Sequence, residues 1–228
     1  MDKTYIIGDV HGCFYSLKSL FERLAPSKRD TIIFLGDYID KGARSRETLD
    51  FLLEVRENYP RAIFIKGNHE ALALESEISG EKFGLWMLNG GGATLRSIEI
   101  TKFSEMPSRY AEFLGSCRSY ATNNEFVITH GGLNFDIDDP LEDRHAMLWE
   151  RNDKIDRSKI GGRRLIVGHT PVPLEQMRAS LSSDKIMLDG GCVFKGVKRG
   201  VGYLAALELP SMELHIQENI EPEIRVNG

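Results

Sequence analysis

No uninterrupted apolar run in the 228 residues approaches the ~20 needed to span a bilayer, so no membrane-spanning helix is expected. The first residues reach Asp9 without the basic, apolar and small-residue succession of a secretory signal. Cysteine is scarce: Cys13, Cys117 and Cys192 are odd in number, far apart and without a Cys-x-x-Cys partner. That argues against a disulfide framework and fits a reducing compartment, so a cytoplasmic location is expected. A basic excess is also missing. Net charge is −5 and the isoelectric point about 5.7, which disfavours a sequence-independent nucleic-acid binder. Neither nucleic acid nor a membrane is expected as a partner. Low-complexity tracts, sequence-level repeats and domain linkers are lacking too.

What is present is the composition of an ordinary globular protein, 41% hydrophobic and 28% charged, at a length that suits one α/β domain over residues 1–228. Its chemistry gathers where apolar runs stop. Thr31-Ile32-Ile33-Phe34-Leu35 reads as a fully buried strand and ends in Gly36-Asp37-Tyr38-Ile39-Asp40-Lys41-Gly42. Asp37 can point into the crevice at a strand's carboxyl end, where open α/β sheets bind ligands. One carboxylate there has lone pairs enough for two cations.

The chain repeats that unit. Thr4-Tyr5-Ile6-Ile7 stops at Gly8-Asp9-Val10-His11-Gly12, and a helix follows with Phe14, Leu17, Leu20, Phe21 and Leu24 at helical spacing. Asp9 and His11, two apart on an extended segment, point the same way and make a good pair for a transition metal. A solvated turn with a capping Asp is the plainer alternative. After Gly42, Ser45 can cap a helix carrying Leu49, Leu52, Leu53 and Val55. Ala62-Ile63-Phe64-Ile65 leads to Lys66-Gly67-Asn68-His69-Glu70 and another helix. Asn68 is a candidate ligand through its carbonyl oxygen, a candidate helix cap, or both. Three strand–loop–helix units predict a parallel sheet with right-handed crossovers.

Residues from about 77 to 124 break the alternation. Trp86-Met87-Leu88 precedes Gly90-Gly91-Gly92, a turn or a hinge, and Pro107 to Tyr120 reads as a helix. This stretch is too apolar for a linker and is expected to cover the sheet end as a lid or substrate wall. Further strands are expected at 125–129, ending in His130-Gly131-Gly132, at 165–167, ending in Gly168-His169-Thr170, and at 185–188, ending in Asp189-Gly190-Gly191. Gly202–Leu209 and Glu213–Ile216 read as an antiparallel pair around Pro210-Ser211, and the tail from Glu218 as polar and exposed. Of six histidines, His11, His69, His130 and His169 sit at strand ends; His145 and His215 are expected to be surface or loop residues.

Five such motifs in order, each after a β run, are specific together where each is weak alone. Gly-Asp-Val-His-Gly, Gly-Asp-Tyr-Ile-Asp-Lys-Gly, Gly-Asn-His-Glu, His-Gly-Gly and Gly-His-Thr resemble the signature of the calcineurin-like metallophosphoesterases. More narrowly they are similar to the bacterial and bacteriophage branch of the phosphoprotein phosphatases, and they span residues 8–170. The resemblance implies a four-layer α/β/β/α fold, a sandwich of two mixed sheets flanked by helices. It implies two divalent metals: Asp9 and His11 on the first, Asp37 bridging, and Asn68, His130 and His169 on the second. It implies hydrolysis of a phosphomonoester by a hydroxide activated between the metals, with His69 as the acid, Asp40 orienting it, and Arg151 and Lys41 on the phosphoryl group. Oxygen and nitrogen ligands without Cys suit manganese, foremost here, or iron or zinc.

One departure stands out: the family's second motif usually ends Asp-Arg-Gly, and here it is Asp40-Lys41-Gly42. Lysine is a point charge where arginine makes a bidentate fork. Arg44 and Arg46 lie just beyond, as compensating charges or as the solvated start of a helix. The expected substrate is a phosphorylated serine, threonine or tyrosine residue, or a small phosphoester. Related hydrolases of dinucleoside tetraphosphates typically carry Ala in place of Asp40. A non-catalytic scaffold would have lost ligands, and none is missing.

Overall fold

The computed structural model describes residues 2–222. The first three strands, β1 (Thr4–Ile7), β2 (Thr31–Phe34) and β3 (Ala62–Phe64), are parallel neighbours. The helices that follow them are α1 (Phe14–Leu24), α2 (Ser45–Asn58) and α3 (Asn68–Glu75). Then come α4 (Gly80–Leu88), α5 (Gly91–Ile98) and α6 (Ser108–Ser116). Next are β4 (Tyr120–Thr122), β5 (Phe126–Thr129), α7 (Ala146–Trp149), β6 (Arg164–Val167), α8 (Leu174–Ser180) and β7 (Lys185–Met187). The hairpin β8 (Tyr203–Leu209) and β9 (Glu213–Glu218) closes the described chain.

Two mixed sheets result, β3-β2-β1-β8-β9 and β4-β5-β6-β7, with helices on their outer faces. Alternation along the strands shows why the runs are apolar throughout. Tyr5, Ile7, Ile32 and Phe34 join the core under the helices, while Ile6, Ile33 and Leu35 face the second sheet. From the other side Phe126, Ile128, Ile166 and Ile186 fill the same inter-sheet layer, and Val127, Leu165 and Val167 turn outward onto α7 and its neighbours. A strand buried on both faces has no polar position to alternate with. No helix among the described residues is long and apolar enough to cross a membrane.

Several local expectations change. Ser45 does not cap α2: Arg44 occupies that position, and the Ser45 hydroxyl meets the Asp40 N–H and Thr94 instead. Gly67, not Asn68, precedes the first turn of α3, and the Glu70 carboxylate accepts the Gly67 N–H at 2.8 Å. α6 stops at Ser116, and Tyr120 starts an edge strand that the helical reading missed. Gly90 is a turn residue with φ 101°, and Gly91 already begins α5. Asn219 in the supposed exposed tail is buried, donating to the Cys192 carbonyl; residues 223–228 lie outside the described part. His215 lies on β9 beside Glu208, as a partly buried strand residue.

Candidate metal centre

The carboxyl ends of β1, β2 and β3 in one sheet and of β5 and β6 in the other converge on one pocket. His11, Asp37, Lys41, Asn68, His69, Trp149, Arg151, His169 and Asp189 line it. Its backbone is unusual. His11, Asp37, Asp40, Lys41 and His169 all have positive φ, between 47° and 71°. Non-glycine residues adopt that region at a cost, and five at one site mark a geometry held by its surroundings. Glu70 supplies part of the hold, accepting the N–H groups of Asp37 and Tyr38 at 2.8 Å each. The neighbouring glycines supply room: a Cβ on Gly67 would fall 2.1 Å from Asp37 Oδ1, and one on Gly168 2.1 Å from Asp9 Oδ1.

At this site two groups of side chains each bring one ligating atom per residue within 4.8 Å of the others; a third such group, Glu208, Glu213 and His215, lies on the β8–β9 hairpin. Of the two at the site, one is His11, Asp37 and His69; the other is Asp37, His130 and His169. Asp37 is common to both, as a bridging carboxylate must be. Asp9 is in neither group: Oδ2 accepts the His169 N–H at 2.9 Å, while Oδ1 is buried without a hydrogen-bond partner.

The hydrogen-bond network fixes where lone pairs point. His11 Nδ1–H donates to the Ile39 carbonyl at 3.0 Å and His130 Nδ1–H to the Leu35 carbonyl at 2.9 Å. As neutral rings both then aim an Nε2 lone pair inward. Burial favours the neutral form, lowering the pKa of His11 to about 4, of His169 to about 3, and that of His130 as well. His130 Nε2 lies 2.9 Å from Asn68 Oδ1 and 3.3 Å from Asp37 Oδ1. Acceptors that converge on acceptors are stable only around a cation.

In the other half Lys41 supplies a positive charge. Its Nζ is 2.9 Å from His11 Nε2 and 2.8 Å from His69 Nε2. An ammonium thus stands where lone pairs of two imidazoles meet the Asp37 carboxylate, and oxygen and nitrogen donors without thiolate fit a divalent ion in both halves. Asp37 itself is held well below the usual carboxylate range: burial opposes ionisation, but the imidazoles of His130, His69 and His11 outweigh it.

His69 is set apart from the other three rings. Its Nδ1–H donates to Asp40 Oδ2 at 2.8 Å, and its pKa is raised, because Asp37 and Asp40 overcome the effect of burial. Asp40 is fully buried, with its carboxylate held by Trp86 Nε1–H at 2.9 Å and Thr94 Oγ1–H at 2.6 Å.

Every residue that the resemblance gives a role therefore lies at or beside this pocket. Arg44 and Arg46 do not: Arg44 pairs with Glu47, and Arg46 donates to the Ile98 carbonyl. Four residues of the site carry no role that the sequence indicates. Glu70 was present in its motif without a role. Trp86 and Thr94 come from the stretch that breaks the strand–helix alternation, where no local signal links them to Asp40. Asp189 ends β7 in an Asp-Gly-Gly motif, and burial pushes its pKa up to about 7. His145 and His215 stay outside the pocket; His145 stacks near Trp149, with ring centroids 6.4 Å apart.

Residues 3–199 match the family described as calcineurin-like phosphoesterase. Over 210 residues the chain is 29% identical to serine/threonine-protein phosphatase 1 of Salmonella typhimurium, covering 85% of this chain and 88% of that one. Two solved structures share the fold. One, assigned as a diadenosine tetraphosphatase, superposes with a TM-score of 0.67 at 18% identity over 97% of this chain and 95% of that one. The other is a protein serine/threonine phosphatase of Saccharomyces cerevisiae with similarity to human phosphatase PP5. It gives a TM-score of 0.65 at 18% identity over 98% of this chain and 82% of that one.

Proposed function

Because the chain belongs to the calcineurin-like phosphoesterase family, a family of dimetal hydrolases, we propose that it is a protein phosphatase acting on phosphoserine and phosphothreonine. The buried Asp40–His69 pair is the observation that carries this reading. A serine or threonine alkoxide is a poor leaving group and needs a proton as the P–O bond breaks. The nucleoside phosphate released when an internal P–O–P bond of a dinucleoside polyphosphate breaks leaves as a stabilised anion and needs one far less. An acid held at 2.8 Å by a buried carboxylate suits the first substrate better than the second. The Salmonella relative, a serine/threonine phosphatase by name, supports the same choice.

Asp9 and His11 would hold the first ion, Asn68, His130 and His169 the second, and Asp37 both. The two divalent ions, manganese by preference, acidify water and neutralise phosphoryl charge when bound. The remaining work belongs to the chain. Arg151 and Lys41, both in the pocket lining, bring positive charge to the phosphoryl oxygens. His69 delivers a proton from Nε2 to the departing oxygen while Asp40 fixes the ring through Nδ1. The segment at about 77–124 acts as a wall of the pocket within a single domain of residues 1–228, working in the cytoplasm.

A phosphothreonyl peptide and diadenosine tetraphosphate, compared as substrates of the manganese-loaded protein, test the choice. A kcat/KM at least tenfold higher for the peptide is expected; the reverse order overturns the phosphatase reading.

A further inference from the structure

The ligand set leaves one strand-end carboxylate out. Asp189 follows β7, is only 1% exposed, and lines the same pocket as His11, Asp37 and Lys41. Backbone packing puts it beside Asp9. Gly8 lies so close to the Leu188 carbonyl that a Cβ there would come within 2.2 Å of it, so the Gly8-Asp9 and Leu188-Asp189 steps run side by side. Asp189 Oδ1 accepts the Gly191 N–H at 2.7 Å, and the residue lines the pocket. Asp9 Oδ1 is buried and without a partner.

The two halves of the centre are unequal without it. The second ion has Asp37, Asn68, His130 and His169 to draw on, whereas the first has Asp9, His11 and Asp37. Asp9, Asp37 and Asp189 are three buried carboxylates, and Lys41 brings an ammonium to His11 Nε2 at 2.9 Å. Accepting the Gly191 N–H needs no charge; Asn or Ser would do it. A cation facing a carboxylate removed from water at this position stabilises its charged form.

We propose that Asp189 is a metal-binding residue of the first site, forming with Asp9 the acidic wall that faces the cation held by His11 and Asp37. The proposal rests on the dimetal reading above and assigns Asp189 no part in the second ion.

Titration of the metal-stripped protein with Mn2+ by calorimetry tests it, using wild type, Asp189→Asn and Asp189→Ser. Both substitutions keep an acceptor for the Gly191 N–H. Wild type is expected to take two ions. Each variant should keep one dissociation constant and weaken the other by about 10–100-fold, the usual scale for a group supporting a metal site. His169→Ala should weaken the constant that the Asp189 variants leave alone. Two unchanged constants in the Asp189 variants overturn the proposal. Fewer than two ions in wild type overturn the dimetal reading, and the proposal with it. Thermal melting of the metal-free proteins guards against misfolding. The variants should melt no lower than wild type, since a like charge has been removed; a lower melting point with wild-type affinities marks a turn-capping residue and also overturns the assignment.

Discussion

At the scale of single residues, three buried imidazoles of the site are given different tasks by what their Nδ1 atoms meet. His11 and His130 spend Nδ1–H on backbone carbonyls, stay neutral, and present lone pairs. His69 spends it on Asp40 and is made more basic. His69→Asn should therefore lower kcat by about 10²–10⁴-fold on a phosphothreonyl peptide. The loss should shrink on p-nitrophenyl phosphate, whose leaving group needs little protonation, and bound metal should stay near the wild-type level. Equal losses on both substrates would remove the acid role. Asp37→Asn should act differently, since it weakens the carboxylate common to both ligand groups. Loss of turnover together with loss of bound metal, measured by elemental analysis, is the expected outcome.

At the scale of elements, the short stretch from α4 to α5 reaches into chemistry set up by β2 and β3. Trp86 near the end of α4 and Thr94 in α5 are the two donors that hold the Asp40 carboxylate besides His69. The α5 end of this stretch is tied to the site loop as well, through the Lys41 N–H to the Gly90 carbonyl at 3.2 Å. Trp86→Phe keeps most of the buried ring and removes the donor. It should reduce kcat on the phosphopeptide about tenfold and change KM little, with a smaller effect on p-nitrophenyl phosphate. Equal effects on the two substrates would mean that the ring serves packing alone.

At the scale of the whole molecule, the proposed ligands come from both sheets. Asp9, Asp37 and Asn68 follow β1, β2 and β3, while His130 and His169 follow β5 and β6. Bound ions would tie the carboxyl ends of the two sheets together, next to the inter-sheet layer of Ile6, Ile33, Leu35, Ile128 and Ile166. Chelation should therefore lower the melting temperature, and readded Mn2+ should restore it. Each ion at a hundredfold excess over its Kd contributes about 2.7 kcal/mol by linkage. Ile166→Ala, in the same layer and not itself a ligand, should cost about 2–5 kcal/mol in denaturant unfolding.

The sequence by itself determined the strand-end motifs, the parallel units and the identity of the proposed ligands. These are written in short stretches: an apolar run, a glycine, and a polar residue whose direction follows from strand geometry. His11, Asp37 and His169 were visible for that reason. The same local reading erred at Ser45, Asn68 and Tyr120, where a cap or a helix end was decided by a distant partner such as Thr94, His130 or β5. Only the tertiary structure decided what stands around the ligands. Trp86 is 46 positions from Asp40, and the backbone that brings Asp189 beside Asp9 belongs to strands at opposite ends of the chain. Contacts of that separation leave no periodicity behind. They are fixed by how two sheets pack face to face, and the second sheet, with its order β4-β5-β6-β7, is a property of that packing rather than of any one segment.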